Sequence, residues 1–343
     1  MIFPFVHPLF RRRLTRAIAW FAAAWFVAAW AWPLWAAAPA AAEPKSAVVA
    51  TVGEERIFAV EIDELLADTP SARDATGQQR QMLEAEALEQ LINRRLVYAA
   101  LAKQGFAPTD DQVDDLVADL KERLTTQQLS FEDFLQKHAL TEPLVRRRLA
   151  WDAAWTLYLE QTLTDEALEK YFGEHRRDFD GTELRVSHIL WRIENGADRA
   201  AVDAARAQAE KLREEIAAGK PTFATAAKKY SAGPSKRQGG DLGFIARHGQ
   251  MAEAFAAAAF RLEKGEISPP VVSPFGVHLI ECTDVKPGRE TWQSRRRALA
   301  ESWARDHFLQ LAAKARKQAV VKYAGASPYF KPGTHELVAP QAD

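Results

Sequence analysis

Three short stretches decide the fold of the second half of this chain: Val-Ser-His-Ile-Leu at 186–190, Gly-Gly-Asp-Leu-Gly at 239–243 and Gly-Val-His-Leu-Ile at 276–280. Around the first stretch, the side chains at 184, 186, 188 and 190 alternate in character with those at 185, 187, 189 and 191, which predicts a β-strand, and another strand is predicted around the third stretch. The glycine-dense middle stretch predicts a tight loop, because glycine adopts backbone conformations that other residues avoid. The sequence therefore predicts a sheet that carries one histidine on each of two strands.

Apolar residues at helical spacing lie between these stretches. One helix is predicted over 202–216, a second over 223–230 and a short third one over 251–262, since apolar residues recur there every three or four positions. Two further strands are predicted around 266–273 and 276–285. The order β-α-α-(β)-α-β-β predicts a unit of the α+β class.

Helical periodicity dominates both flanks of this unit, over residues 60–180 and 290–321, and a short strand pair is predicted at 47–58. A single long helix cannot bury its apolar face by itself, so we expect the C-terminal helix to pack on the N-terminal helices. Those segments would then form one helical domain around the α+β unit. The predicted division is a signal peptide or anchor at 1–44, a helical domain at 45–182, the α+β domain at 183–286, a C-terminal helix completing the helical domain at 287–324 and an extended tail at 325–343.

The first 44 residues have the composition of an export signal. Four arginines between residues 11 and 16 precede an uncharged stretch at 17–42. A basic start, an apolar middle and a small-residue end are typical of a secretory signal peptide, which predicts cleavage after Ala42. The alternative is an uncleaved membrane anchor over residues 17–38, because the uncharged stretch is long enough to span a bilayer. Both alternatives predict an exported protein of the periplasm or cell envelope.

Composition excludes several classes of function. Lys and Arg total 45 and Asp and Glu total 46, so the net charge is -1 and no nucleic-acid partner is predicted. Cys282 is the only cysteine, which excludes an internal disulfide and a cysteine-based zinc site. The sequence lacks HExxH, GxSxG and the GxxxxGK motif of nucleotide-binding loops, so neither a metal nor a cofactor is predicted.

The order of these elements resembles the parvulin family of peptidyl-prolyl cis/trans isomerases. The residues that carry the resemblance are the stretches 186–190, 239–243 and 276–280, together with Phe223, Tyr230 and Ser231, and Met251 with Phe255. More loosely, the whole chain resembles the exported parvulin chaperones. The resemblance implies a parvulin-like β-α-α-α-β-β domain inserted between N- and C-terminal helical segments that form one client-holding domain.

The resemblance also implies a function. The chain would be an exported isomerase that acts, without a cofactor, on unfolded or nascent exported polypeptides containing X-Pro bonds. Rotation about a peptide bond faces a barrier of about 18–20 kcal/mol, and X-Pro isomers exchange only in tens to hundreds of seconds. A membrane would be contacted only through the N-terminal segment, if that segment is not cleaved.

The resemblance assigns six candidate site residues. Leu242, Met251 and Phe255 would form an apolar pocket for the proline ring, with Met251 and Phe255 four positions apart on one helical face. His188 and His278 are the two family histidines, expected on neighbouring strands, and Ser273 matches a Ser/Thr position beside the pocket. Two neutral imidazoles can share one hydrogen bond, so the pair would be either directly catalytic or structural.

Two departures from the family pattern leave alternatives open. Gly233 stands where the family usually has a Cys or Asp, and Phe275 stands where some relatives have a small polar residue. Asp241 is either a substitute acid or an anchor of its own loop. The alternative functions are a holdase chaperone with a weak or inactive isomerase domain, and an assembly factor for a single partner. The bulky face around Trp151 and Trp155 is either core or a groove for clients.

Overall fold

The computed structural model describes residues 47–67, 69–193, 199–325, 327–334 and 336–340. The predicted signal or anchor segment, residues 1–44, lies outside the described residues. Within the described part, none of the helices combines the length and the apolar character needed to cross a membrane. The chain divides into two compact units, which we call the helical unit (47–164 and 304–340) and the sheet unit (165–303).

The helical unit is built from five helices, the end of a sixth and short strands. Its elements are β1 (Val48–Val52), β2 (Glu55–Phe58), α1 (Ala59–Ala67), α2 (Gly77–Lys103), α3 (Asp110–Thr126), α4 (Phe131–His138), α5 (Glu142–Thr162), the end of α11 (Arg296–Arg316), β7 (Val321–Tyr323), β8 (Tyr329–Phe330) and β9 (Leu337–Val338). β1 lies between β2 and β7 in an antiparallel sheet, which confirms the strand pair predicted at 47–58. Leu88, Ile92 and Leu96 of α2 are buried in the core of the helical unit, as their four-residue spacing predicts.

The helical unit decides between the two interpretations of the Trp151 and Trp155 face, and it corrects the prediction of an extended tail. Trp151 and Trp155 on α5 are buried, stack on each other and meet the edge of Phe308, so this face is core and not an open groove. The stretch expected to be an extended tail contains the β8–β9 hairpin instead. Tyr329 of that hairpin stacks on Tyr323, with 4.2 Å between the ring centroids, and packs on the core of the helical unit. These contacts stabilise the hairpin against that core.

The sheet unit has one four-stranded antiparallel sheet with helices on both faces. Its elements are α6 (Asp165–Glu174), α7 (Arg176–Phe179), β3 (Glu183–Arg192), α8 (Arg199–Ala217), α9 (Phe223–Tyr230), β4 (Asp241–Ala246), α10 (Glu253–Ala259), β5 (Val271–Ser273), β6 (Gly276–Lys286) and the start of α11. The strand order is β4-β3-β6-β5. The predicted α+β class and the order of its elements are confirmed. The strand expected at 266–273 is shorter, because only Val271–Ser273 pairs along β6 and Ile267 makes a single bridge.

Two separate cores cover the faces of this sheet. On one face Ile189, Val277 and Leu279 pack under α8 and α9. On the other face Val186 and Ile280 pack with Phe255 of α10 and its neighbours. Because successive side chains of a strand point to opposite faces, both central strands consist largely of buried residues.

The units divide at 164/165 and 303/304, so α6 and α7 belong with the sheet although the predicted domain began at Glu183. Polar contacts explain this grouping. Arg177 donates to the carbonyl of Leu262 at 2.9 Å, and Arg247 pairs with Asp178 at 2.9 Å. These contacts join α7 to the segments around β4 and α10. The helical periodicity of α6 and α7 predicts two helices, but it does not predict which unit they belong to.

Candidate functional site

The two histidines lie on neighbouring strands and face the same side of the sheet. In the register of β3 and β6, His188 stands opposite Ile280 and His278 stands opposite Leu190, so the imidazoles are diagonal neighbours. Their Nδ1 atoms are 3.3 Å apart, and the rings are nearly parallel at 22°. One Nδ1 must donate and the other must accept, so the two rings share a single proton at this contact.

Burial keeps this pair uncharged. His188 is 7% exposed and His278 is 5% exposed. Burial lowers the pKa of His188, and burial together with the neighbouring His188 lowers the pKa of His278 to about 4. Both imidazoles are therefore neutral at physiological pH.

Ser273 extends the pair into a chain of hydrogen bonds. Its Oγ atom lies 2.7 Å from Nε2 of His278 and accepts a hydrogen bond from the backbone N–H of Phe275 at 3.1 Å. The hydroxyl thereby fixes the ring of His278 and the short turn between β5 and β6. Ser273, His278 and His188 form one continuous polar network in an otherwise apolar surrounding.

The apolar residues of the site border this network. The ring of Phe255 is 3% exposed and meets both imidazoles nearly at right angles, with centroids 5.9 Å from His188 and 5.3 Å from His278. Leu242 and Met251 pack against the same core cluster but are only partly buried. The structure thus brings all six predicted residues to one face of the sheet, where Phe255 is buried and Leu242 and Met251 are partly accessible.

The position of Met251 differs from the prediction. Met251 and Phe255 were expected on one helical face, but α10 begins only at Glu253, and Met251 lies in the bend before it. The four-residue spacing is therefore not a helical spacing here. The loop that ends at Met251 brings its side chain to the cluster, and helix periodicity cannot predict that path.

Ser231 carries part of the family resemblance but was not among the six candidate site residues. It is almost fully buried, and its Oγ atom accepts hydrogen bonds from the backbone N–H groups of Leu190 and Gly233, both at 3.1 Å. It thereby joins the loop after α9 to the strand that carries His188. Two signals could have selected it: its place in the family pattern after Tyr230, and its position as a capping-type residue directly after a helix.

Asp241 is the first residue of β4, where the sequence predicted a loop, and its carboxylate anchors the start of that strand. One carboxylate oxygen accepts a hydrogen bond from the backbone N–H of Gly243 at 2.9 Å, and the other pairs with Arg185 at 2.7 Å. The hydrogen bonds from Arg185 and Gly243 lower the pKa of Asp241, so the group is an ionised acceptor. These contacts favour the structural alternative, with Asp241 as an anchor at the start of β4, over a substitute acid.

Neither a reactive thiol nor a metal cluster accompanies the site in the described ranges. Cys282 is fully buried, and burial raises the pKa of its thiol, which opposes the thiolate form needed for nucleophilic attack. Among the residues that the structure describes, no group of three or more His, Cys, Asp or Glu side chains is arranged to hold a metal ion.

Comparison with known proteins identifies the two parts of the chain. Residues 188–284 match the family model of the PPIC-type PPIASE domain, and residues 8–156 match that of the SurA-like N-terminal domain. The Foldase protein PrsA 1 of Bacillus cereus is 38% identical over 143 residues, which are 41% of each chain. The Chaperone SurA of Alkalilimnicola ehrlichii is 27% identical over 250 residues, which are 69% of this chain and 56% of the relative.

These two matches span less than two thirds of the relatives' own length. A third is longer: the Foldase protein PrsA of Caldanaerobacter subterraneus subsp. tengcongensis is 30% identical over 257 residues, covering 70% of this chain and 75% of the relative. Together with the PPIC-type domain, this match confirms the resemblance to the parvulins. The chain belongs to the parvulin-type foldases, the family of the PrsA proteins.

Proposed function

We propose that this protein is a peptidyl-prolyl cis/trans isomerase that assists the folding of exported polypeptides. One observation carries the proposal: the ring of Phe255 meets two neutral, hydrogen-bonded imidazoles beside an apolar cluster. Membership of a foldase family and the match of residues 188–284 to the PPIC-type domain support it.

The chemistry requires little more than a shaped, uncharged pocket. In the planar amide, resonance makes the carbonyl polar and gives the C–N bond partial double-bond character. In the twisted transition state that resonance is lost, so the carbonyl is less polar and the nitrogen more basic. A site with few fixed charges therefore binds the twisted form better than the planar one, and such differential binding lowers the barrier. Lowering it by about 5 kcal/mol accelerates rotation several thousandfold.

Each residue has a role in this proposal. The partly exposed side chains of Leu242 and Met251 contact the proline ring, and the buried ring of Phe255 packs against it. His188 and His278 provide a neutral, rigid surface beside the rotating bond, and Ser273 holds the ring of His278 in one orientation. No covalent step is needed, because only a rotation separates substrate and product.

Isomerisation of short Ala-Pro-Phe peptides tests the proposal directly. We expect the protein to accelerate the exchange above the uncatalysed rate in a protease-coupled assay, and Met251→Ala to lower kcat/KM roughly tenfold to a hundredfold. Met82→Ala is the matched control, because Met82 is 41% exposed on α2 of the helical unit. A folded protein that gives no rate above background would contradict the isomerase function.

The proposed site of action is outside the cytoplasm. The basic residues between 11 and 16, followed by the uncharged stretch 17–42, are typical of export signals. Cleavage after Ala42 would release the protein, and retention of residues 17–38 would anchor it. The proposed clients are unfolded or newly translocated polypeptides that contain X-Pro bonds.

A second candidate function is that of a holdase, in which the helical unit protects unfolded clients without isomerisation. Two observations favour it. Residues 8–156 match the SurA-like N-terminal domain, and a relative that is similar along 69% of this chain is called a chaperone. In addition, Gly233 provides neither a thiol nor a carboxylate at the position where the parvulins usually have one.

Removal of the parvulin-like segment separates the two functions. Glu183 and Lys286 are cross-strand partners, so a short Gly-Ser linker can join their neighbours after residues 183–286 are excised. We expect the shortened protein to suppress aggregation of a thermally unfolded model protein while it lacks isomerase activity. Complete loss of protection by a shortened protein that keeps its helical circular dichroism would contradict a holdase role of the helical unit.

A further inference from the structure

Gly233 has a backbone conformation that does not require glycine. Its φ of -79° and ψ of 160° lie in the extended region that every L-residue adopts readily. Pro234 follows it, and the residue before a proline favours this same region whatever its side chain. Backbone strain therefore does not explain the absence of a side chain in a loop beside the site.

The imidazole of His188 does explain it. A Cβ atom built on Gly233 would lie 2.9 Å from Nε2 and 3.3 Å from Cε1 of His188, and 3.3 Å from Oγ of Ser231. The first distance is shorter than carbon and nitrogen tolerate without a bond. The Nε2 atom is buried and, within the described part of the chain, has no hydrogen-bond partner. The ring thus lies directly against the α-carbon of Gly233.

The ring cannot move away without cost. Its Nδ1 atom is engaged with His278 at 3.3 Å, and Phe255 packs edge-on against it. The backbone N–H of His188 donates to the carbonyl of Gly240 at 2.9 Å, which fixes the strand beneath the ring. A displacement large enough to admit a Cβ atom would lengthen the Nδ1–Nδ1 contact or disturb the contact with Phe255.

We propose that Gly233 is a positioning residue of the isomerase site: by lacking a Cβ atom it admits the imidazole of His188 to the place where it bonds His278 and supports Phe255. The inference rests on the proposed isomerase function. It has a consequence that runs against the family pattern, since Gly233→Cys and Gly233→Asp would displace the ring. We therefore expect the residues that the parvulins usually have at this position to lower activity in this chain.

A double-mutant cycle in the full chain tests the contact. In the wild-type background, we expect Gly233→Ala to lower the melting temperature, to shift the imidazole ¹⁵N signals of His188 and His278, and to lower kcat/KM roughly tenfold to a hundredfold. In the His188→Ala background there is no ring to displace, so Gly233→Ala should leave the melting temperature unchanged or raise it. Gly173→Ala on α6, where a Cβ atom meets nothing within 4 Å, is the control that should keep activity and ring signals.

The outcomes separate this inference from the proposed function. Equal losses of stability from Gly233→Ala in both backgrounds, or unchanged imidazole signals in the wild-type background, would overturn the positioning role. A third outcome is that Gly233→Ala lowers the melting temperature in the wild-type background only, in a protein that shows no isomerase activity. That result would support the contact between Gly233 and His188 and overturn the isomerase function. A rise in kcat/KM on Gly233→Cys or Gly233→Asp would also overturn the inference.

Discussion

Replacement of Phe255 by alanine is expected to reduce kcat/KM roughly a hundredfold and to lower the free energy of unfolding of the sheet unit by about 3–5 kcal/mol. Phe255 is 3% exposed and belongs to the core cluster that covers one face of the sheet. It is also the side chain that meets both imidazoles. Its removal would leave a cavity in the core and would take away the support for a proline ring and the histidine pair together.

Phe260 provides the matched control for this substitution. It belongs to the same core cluster and is 5% exposed, but no ring contact joins it to either histidine among the described residues. Phe260→Ala should cost a similar amount of stability, while kcat/KM per folded molecule stays near the wild-type value. Urea unfolding gives the stabilities, and the peptide assay under conditions where each variant is folded gives the rates. Equal rate losses in the two variants would show that Phe255 acts through stability alone.

Much of the site could be predicted because side chains alternate between the two faces of a β-strand. Alternation along 184–191 predicted that His188 shares a face with Val186 and Leu190, and the same rule placed His278 with Ile280. The resemblance implied that the two strands are neighbours, and the observed register then brings the histidines to diagonal positions. Burial of the ring of Phe255 follows in the same way from its apolar surroundings on α10.

Contacts between loops and strands could not be predicted in this way. Gly233 and His188 are far apart in the sequence, and no periodic pattern records that the ring of one fills the space beside the other. Met251 reaches the site through a bend, not a helix, and the path of a bend depends on hydrogen bonds made elsewhere. The attachment of α7 to the sheet unit rests on Arg177 and Arg247, whose partners are distant in the chain.

The neutral histidine pair should make the sheet unit less stable in acid. The pKa of His278 falls from 6.5 to about 4 on folding, and that of His188 is also lowered, because burial disfavours the charged imidazole. Between pH 6.5 and pH 4 the unfolded chain therefore binds protons that the folded chain does not. The free energy of unfolding should be constant above pH 6.5 with respect to this pair. As the pH drops to 4 it should fall by about 3 kcal/mol through His278 alone, and His188 adds to that loss.

Urea titrations followed through the amide NMR signals of β3 and β6 report the stability of this unit at pH 7 and pH 4. Carboxylates also titrate over this range, so the comparison is with His278→Gln, in which the amide can still bond to Ser273 but does not titrate. The loss of stability on acidification should be smaller in that variant, because only one imidazole of the pair remains. The folded pair gains charge only as the pH approaches the lowered pKa of His278, about 4, so the isomerase activity of the folded wild type should fall near and below that pH, after stability has begun to decline. Parallel pH profiles of stability in the two proteins would mean that His278 is not held neutral by the fold, and the uncharged pocket would lose its main support.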